Sequence, residues 1–150
     1  MPGKLMRCKI VIALLFSATA SAVAAEITVF KTKTCGCCGK WVEHIRSSGF
    51  KVAVIEVSST GQYRQRYGVP EKLQSCHTAV VMGYTIEGHV PAAEIQRLMK
   101  EKPTFKGLAV AGMPAGAPGM EGARHDAYIV IRFEDNGSSS SYQQYPGEGR

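Results

Sequence analysis

Four cysteines hold most of the chemistry that this sequence can perform. Cys35 and Cys38 form a C-x-x-C pair within Thr34-Cys35-Gly36-Cys37-Cys38-Gly39, Cys37 sits between them, and Cys76 follows in Ser75-Cys76-His77-Thr78. A C-x-x-C pair at a strand-to-helix junction is a redox signature, because helix N-terminal N–H groups and the macrodipole stabilise a thiolate there. A two-cysteine cycle needs no third thiol between its partners, so Cys37 is the anomaly. Three chemistries suit the set. Two disulfides are the ordinary reading of an even cysteine count in a secreted chain. However, Cys35, Cys37 and Cys38 are too close in sequence to staple distant segments, so at most one bond, to Cys76, cross-links the fold. One zinc ion is the second reading. Structural zinc usually draws on two spaced knuckles, and neighbours on a helix diverge by about 100°, so Cys37 and Cys38 suit one tetrahedral ion poorly. The third reading is several soft ions sharing bridging thiolates. Cu(I) is selected by such ligands, and four thiolates balance four monovalent charges in a buried site.

The elements that position these thiols follow from local pattern. Residues 27–30 read as a first strand and residues 50–57 as a second. Between them, Trp41, Val42 and Ile45 recur at helical spacing, which predicts a helix over residues 40–48 with Gly49 as its stop. Ser58-Ser59-Thr60 offers N-cap oxygens to a short helix running to Tyr67, ended by Gly68 and Pro70. Residues 78–82 and 84–87 flank Gly83 as a hairpin. Pro91 opens a helix with Ile95, Leu98 and Met99 on one face, stopping before Pro103. The order β-α-β-α-β-β-α predicts an α/β, thioredoxin-like core. In that arrangement the entry to the third strand faces the C-x-x-C, so Cys76 converges with Cys35, Cys37 and Cys38. His77 falls where thioredoxins usually carry a cis proline, which sets this chain apart from plain thioredoxin catalysis. Residues 107–122, rich in Gly, Pro, Ala and Met, read as an added loop, and residues 127–133 as an extra C-terminal strand. No internal repeat is present.

The ends of the chain reshape its bulk numbers. The 150 residues carry a formal net charge of +6 and five cysteines. Lys4, Arg7 and Lys9 precede the apolar run of residues 10–16, and small residues lead to Ala22-Val23-Ala24-Ala25. That order is a secretory signal peptide, expected over residues 1–25; cleavage after Ala24 or Ala25 fits, with Ala25 preferred, and the destination is an exported, oxidising compartment. The uncharged stretch is shorter than the ~20 residues of a membrane span, so none is expected after cleavage. Without those three positive charges the net charge falls to +3. No basic run with interleaved aromatics survives, which argues against a nucleic-acid partner. Cys8 departs with the signal, and export of an unfolded chain disfavours an iron–sulfur cluster on the remaining thiols. The domain boundaries follow: a thioredoxin-like metal-binding domain over residues 26–135 and a flexible Ser/Gly-rich tail over residues 136–150, with Tyr142 and Tyr145 able to pair onto the last strand.

Other residues have weaker claims. His77, next to Cys76, is an accessory ligand candidate or an orienting residue in the proline's place. Met113 and Met120 offer thioethers from the small-residue loop, which suits a lid over the site; gap-filling is the ordinary role of Met. His89 reads as a turn residue bonded to backbone, His44 as solvated or capping, His125 as surface. Trp41 packs the first helix on the sheet and shields the site. Lys31, Lys33 and Lys40 form a solvated basic surround, or lower thiol pKa and dock an acidic partner.

Several of these stretches together carry a family resemblance. Thr34 to Trp41, Gly68-Val69-Pro70 through Ser75-Cys76-His77-Thr78-Ala79, Gly83-Tyr84-Thr85-Ile86-Glu87-Gly88-His89-Val90-Pro91 and Gly107-Leu108-Ala109-Val110-Ala111-Gly112-Met113-Pro114 resemble the CopG-like family. Its members are exported bacterial proteins with a thioredoxin-like fold, linked to copper resistance. The resemblance implies a Cu(I)–thiolate cluster, polynuclear, on Cys35, Cys37, Cys38 and Cys76. It implies copper ions as cargo, other periplasmic copper-handling proteins as partners, and redox cycling in copper resistance and homeostasis. The competing functions are a thiol–disulfide oxidoreductase using Cys35 and Cys38, and a disulfide-stabilised, non-catalytic module.

Overall fold

The computed structural model describes residues 25–148, so the expected signal peptide lies, apart from Ala25, outside the described residues. One mixed seven-stranded sheet organises the chain. Strand β1 (Glu26–Thr32) runs parallel to β2 (Lys51–Val57) and antiparallel to β3 (Thr78–Val81); β3 turns into β4 (Tyr84–Glu87). Beyond β4 come β5 (Gly107–Ala109), β6 (Tyr128–Phe133) and β7 (Ser139–Tyr145), giving the order β2-β1-β3-β4-β5-β6-β7. Helix α1 (Gly36–Ser47) links β1 to β2, α2 (Gly61–Arg66) and a 3-10 turn (Glu71–Leu73) precede β3, and α3 (Ala92–Glu101) follows β4. Among the described residues no helix is long and apolar enough to cross a membrane.

Alternation along the strands sorts side chains onto two faces. Ile27, Val29, Ala79, Val81, Ile86, Leu108 and Val130 join Trp41, Val42 and Ile45 of α1 and Ile95 and Leu98 of α3 in the main core. On the opposite face Phe30 stacks on Tyr63, with ring centroids 4.2 Å apart, and Val69 and Leu73 pack with Ala109 and Phe133. That second face also carries Thr78, Thr85 and Glu87, all buried.

Several boundaries differ from the sequence-based expectation. Helix α1 begins at Gly36, four residues earlier than its apolar periodicity indicates. Gly36 and Gly39 dilute the pattern there, while the first turn is defined by backbone bonds such as Gly39 N to the Cys35 carbonyl, 3.3 Å. At α2 the Thr60 side chain makes no cap; Ser59 Oγ instead accepts from Gly61 N at 3.3 Å. Residues 107–109, expected within a loop, form β5, parallel to β4. A three-residue strand starting at Gly offers too little pattern to register as one.

The expected flexible tail is corrected over Ser139–Tyr145, which pairs antiparallel with β6. Ser-rich composition has no apolar alternation, but two tyrosines anchor the strand to α3. Arg97 Nε donates to Tyr142 Oη at 2.9 Å with its guanidinium 3.9 Å from the ring centroid, and Tyr145 Oη donates to Glu94 at 2.8 Å. Tyr128 stacks on Tyr145 at 4.8 Å. Replacing Tyr142 by Ala is therefore expected to cost about 2 kcal/mol in urea unfolding, the order of a lost aromatic contact plus its hydrogen bond; a frayed tail would lose nothing.

Candidate metal centre

The β1–β3 pairing brings two separate stretches of chain to one edge of the sheet. Phe30 lies opposite Thr78, so the end of β1, which feeds α1, and the start of β3, which follows Cys76, lie side by side. Cys35 is the N-cap residue of α1, and Cys37 and Cys38 occupy its first turn. Cβ bonds in a helix tilt toward its N-terminus, so thiols in the first turn reach into the space before it. The sulfurs of Cys35, Cys37, Cys38 and Cys76 all lie within 4.8 Å of one another, and this cysteine group can hold metal. Cys37 and Cys38 thus reach one site despite their angular separation along the helix. Cys35 and Cys38 are joined as a disulfide, and Cys37 and Cys76 are free. Cys37 Sγ lies 3.6 Å from Cys35 Sγ, and Cys38 Sγ 3.9 Å from the Cys76 carbonyl oxygen.

A second group shares Cys76. Its sulfur lies 3.0 Å from His89 Nε2 and 3.3 Å from His77 Nδ1. Both imidazoles are fully buried. His89 Nδ1 lies 2.8 Å from the Pro118 carbonyl, which only accepts, so Nδ1 carries the proton and the Nε2 lone pair faces Cys76. This outer hydrogen bond sets the tautomer in which Nε2 can ligate. The expected backbone bond of His89 is present, but its other nitrogen belongs to the site, a role that turn context in the sequence does not signal. His77 packs on Trp41 at 4.4 Å between ring centroids, and its buried Nε2 has no hydrogen-bond partner among the described residues. Burial, reinforced by His89, pushes His77 down to about 3, and burial also lowers His89, so both rings are neutral at pH 7. Burial and then the Cys37 sulfur push the Cys76 thiol up to about 12. Without metal Cys76 is a thiol, and metal binding must displace its proton.

Residues 110–126 fold over the same edge. Gly119, at φ +84°, lies so close to α1 that a Cβ there would stand 2.8 Å from both Cys37 O and Trp41 N. Pro118 holds His89 as described, and Glu121 Oε1 accepts from Gly119 N at 2.8 Å. Within this loop Met120 is half-buried and Met113 is 56% exposed. Trp41 is fully buried and donates through Nε1 to Val90 O at 2.9 Å. Of the basic residues, Lys33 and Lys40 are exposed, whereas Lys31 is buried and donates to Thr32 O at 2.9 Å.

An α/β domain that closes four cysteines and two buried histidines around one sheet edge is thus the class of protein defined here. The profile of a family described as "Protein of unknown function, DUF411" matches residues 73–120, which include Cys76, His77 and His89. Two solved structures, "Copper resistance protein copG" Form 2 and Form 1, are similar at 42% and 43% identity, with TM-scores of 0.79 and 0.78. Each match covers 83% of this chain and 100% of the other. No curated protein sequence matches. The chain belongs to the CopG family of copper-resistance proteins.

His44 has a supporting role. Its Nε2 accepts from Ala92 N at 3.1 Å, capping α3, whose own N-cap residue Pro91 has no side-chain acceptor. Burial lowers its pKa below 6.5 against the opposing pull of Glu121, and only the neutral ring can accept this bond. The cap is therefore fully present above pH 6.5 and is lost as pH falls through 6.5 toward the lower folded value. The melting-temperature advantage of the native chain over His44→Ala should shrink between pH 7 and pH 5, measured by calorimetry on both proteins.

Proposed function

We propose that this chain is a periplasmic copper-binding protein that holds Cu(I) in a polynuclear thiolate cluster on Cys35, Cys37, Cys38 and Cys76, and serves copper resistance. The observation that carries this reading is the convergence of four sulfurs within 4.8 Å on a chain of the CopG family. Copper is cargo here. Soft thiolates suit Cu(I), and the near-neutral total of four thiolates with about four monovalent ions suits an enclosed edge. His77 and His89 add neutral imidazole beside Cys76, and the loop carrying Met113 and Met120 covers the site. The scaffold is read as thioredoxin-like: β1-α1-β2, the β3–β4 hairpin and α3 form its core, and β5, β6 and β7 extend it. With the expected export signal, the reading includes handover of copper to other periplasmic copper-handling proteins.

The Cys35–Cys38 disulfide supports a redox component. Opening that bond takes two electrons and two protons from a dithiol reductant and frees both sulfurs for copper. Closing it passes two electrons to a partner disulfide, which takes up two protons to become a dithiol, as copper leaves. The same bond favours a second reading, a thiol–disulfide oxidoreductase acting through Cys35 and Cys38. In that case Cys38→Ser traps mixed disulfides and Cys76→Ser leaves activity intact.

Anaerobic loading of the reduced protein with Cu(I) separates these readings. Several coppers per chain are expected, with fewer in Cys37→Ser. X-ray absorption should show a sulfur shell with short metal–metal distances, and a nitrogen contribution that falls in His89→Ala. Less than one copper per chain, or a count unchanged by Cys37→Ser, would overturn the cluster. Because the Cys76 proton must leave, copper retention against a fixed chelator should weaken as pH falls.

A further inference from the structure

Cys76 lies in a short segment between the 3-10 turn and β3, outside every helix and strand. The residues on either side of Cys76 and His77 are both attached to one buried carboxylate. Glu87 Oε1 accepts from Ser75 N at 2.7 Å, and Glu87 Oε2 accepts from Thr78 Oγ1 at 2.7 Å. Arg64 Nε donates to the same Oε1 at 3.1 Å, while its Nη2 donates to the Ser75 carbonyl. Both backbone polar groups of Ser75 are therefore held by the Arg64–Glu87 pair. Glu87 is completely buried, and the Arg64 side chain is 17% exposed. The next residue tightens the fit: at Gly88, with φ +69°, a Cβ would stand 2.5 Å from Ser75 Oγ and from Val110 O.

Burying a carboxylate is costly unless donors surround it, and burial indeed pushes Glu87 upward. An apolar residue would serve the packing of β4 equally well. Four hydrogen bonds, two of them to the backbone of Ser75, are better explained by what they hold. We propose that Arg64 and Glu87 are positioning residues for Cys76: they pin Ser75 and Thr78, and so keep the Cys76 sulfur beside the α1 thiols and the two imidazoles. Neither touches the metal group. Their effect on copper rests on the function proposed above; their effect on the thiol does not.

The test uses the purified protein with Cys35–Cys38 oxidised, leaving Cys37 and Cys76 to react with iodoacetamide, and mass spectrometry to read the Cys76-to-Cys37 alkylation ratio. Glu87→Gln and Arg64→Met should each raise that ratio about tenfold, the order expected when a charge-assisted hydrogen bond to the segment is lost. Leu98→Ala, a core variant remote from Ser75, should lower the melting temperature without moving the ratio. In the reduced protein, Cu(I) retention against a chelator should fall roughly 10- to 100-fold in both site variants, as for outer-shell partners of metal ligands. If Glu87→Gln does not fold, Arg64→Met decides. An unchanged ratio in the folded site variants, or an equal rise in Leu98→Ala, overturns the proposal. A raised ratio with unchanged copper retention upholds the positioning of Cys76 and counts against the copper reading.

Discussion

Phe30 and Thr78 face each other across antiparallel β1 and β3, and the distance between the two halves of the thiol site follows from that register. β1 delivers the chain to Cys35 at its end, and β3 receives it from Cys76 at its start. Antiparallel neighbours place those two points at the same edge. A slip of one residue would turn Thr78 from the polar face to the core face and take Cys76 with it. The parallel β1–β2 pairing, in contrast, serves mainly to return α1 across the sheet, so that Trp41 and Ile45 are buried and the helix start is held at the edge.

Around this edge the protein buries an unusual set of polar groups. His77, Thr78, Thr85, Glu87 and His89 are all at most 1% exposed. Each such group is costly unless it is paired. Glu87 is satisfied by Arg64, Ser75 and Thr78, His89 by Pro118, and Thr85 by donation to Tyr67 O. His77 Nε2 stands apart, with no partner among the described residues. The pairings rigidify the segment that carries Cys76, and the low dielectric keeps both imidazoles neutral. Neutral nitrogen is the state in which an imidazole takes a metal, whereas the Cys76 thiol gives up its proton on binding.

The loop of residues 110–126 closes the same edge through backbone more than through its methionines. The Pro118 carbonyl selects the His89 tautomer, and Gly119 fits against Cys37 and Trp41 only because it lacks a side chain. The lid expected from its Gly, Pro and Met content is thus present in position. Met113, however, points to solvent at 56% exposure, and packing against α1 is accomplished by the smallest residue in the loop.

Short-range pattern in the sequence determined much of this protein. Helical spacing in α1 and α3, the Gly83 hairpin and the C-x-C-C run are all local, and they placed the redox-capable thiols at a helix start. The strand-entry position of Cys76 followed from element order. What local pattern does not carry is pairing between distant segments whose own periodicity is weak. β5 has three residues and β7 is Ser-rich, so both exist because neighbouring strands and α3 receive them. His89 and Glu87 look alike in sequence, polar residues near a turn in Glu87-Gly88-His89, yet one faces the sulfur of Cys76 and the other the backbone of Ser75. Only the tertiary structure decided that, because strand alternation sends residues two apart to one face while the turn at Gly88 breaks the alternation between them.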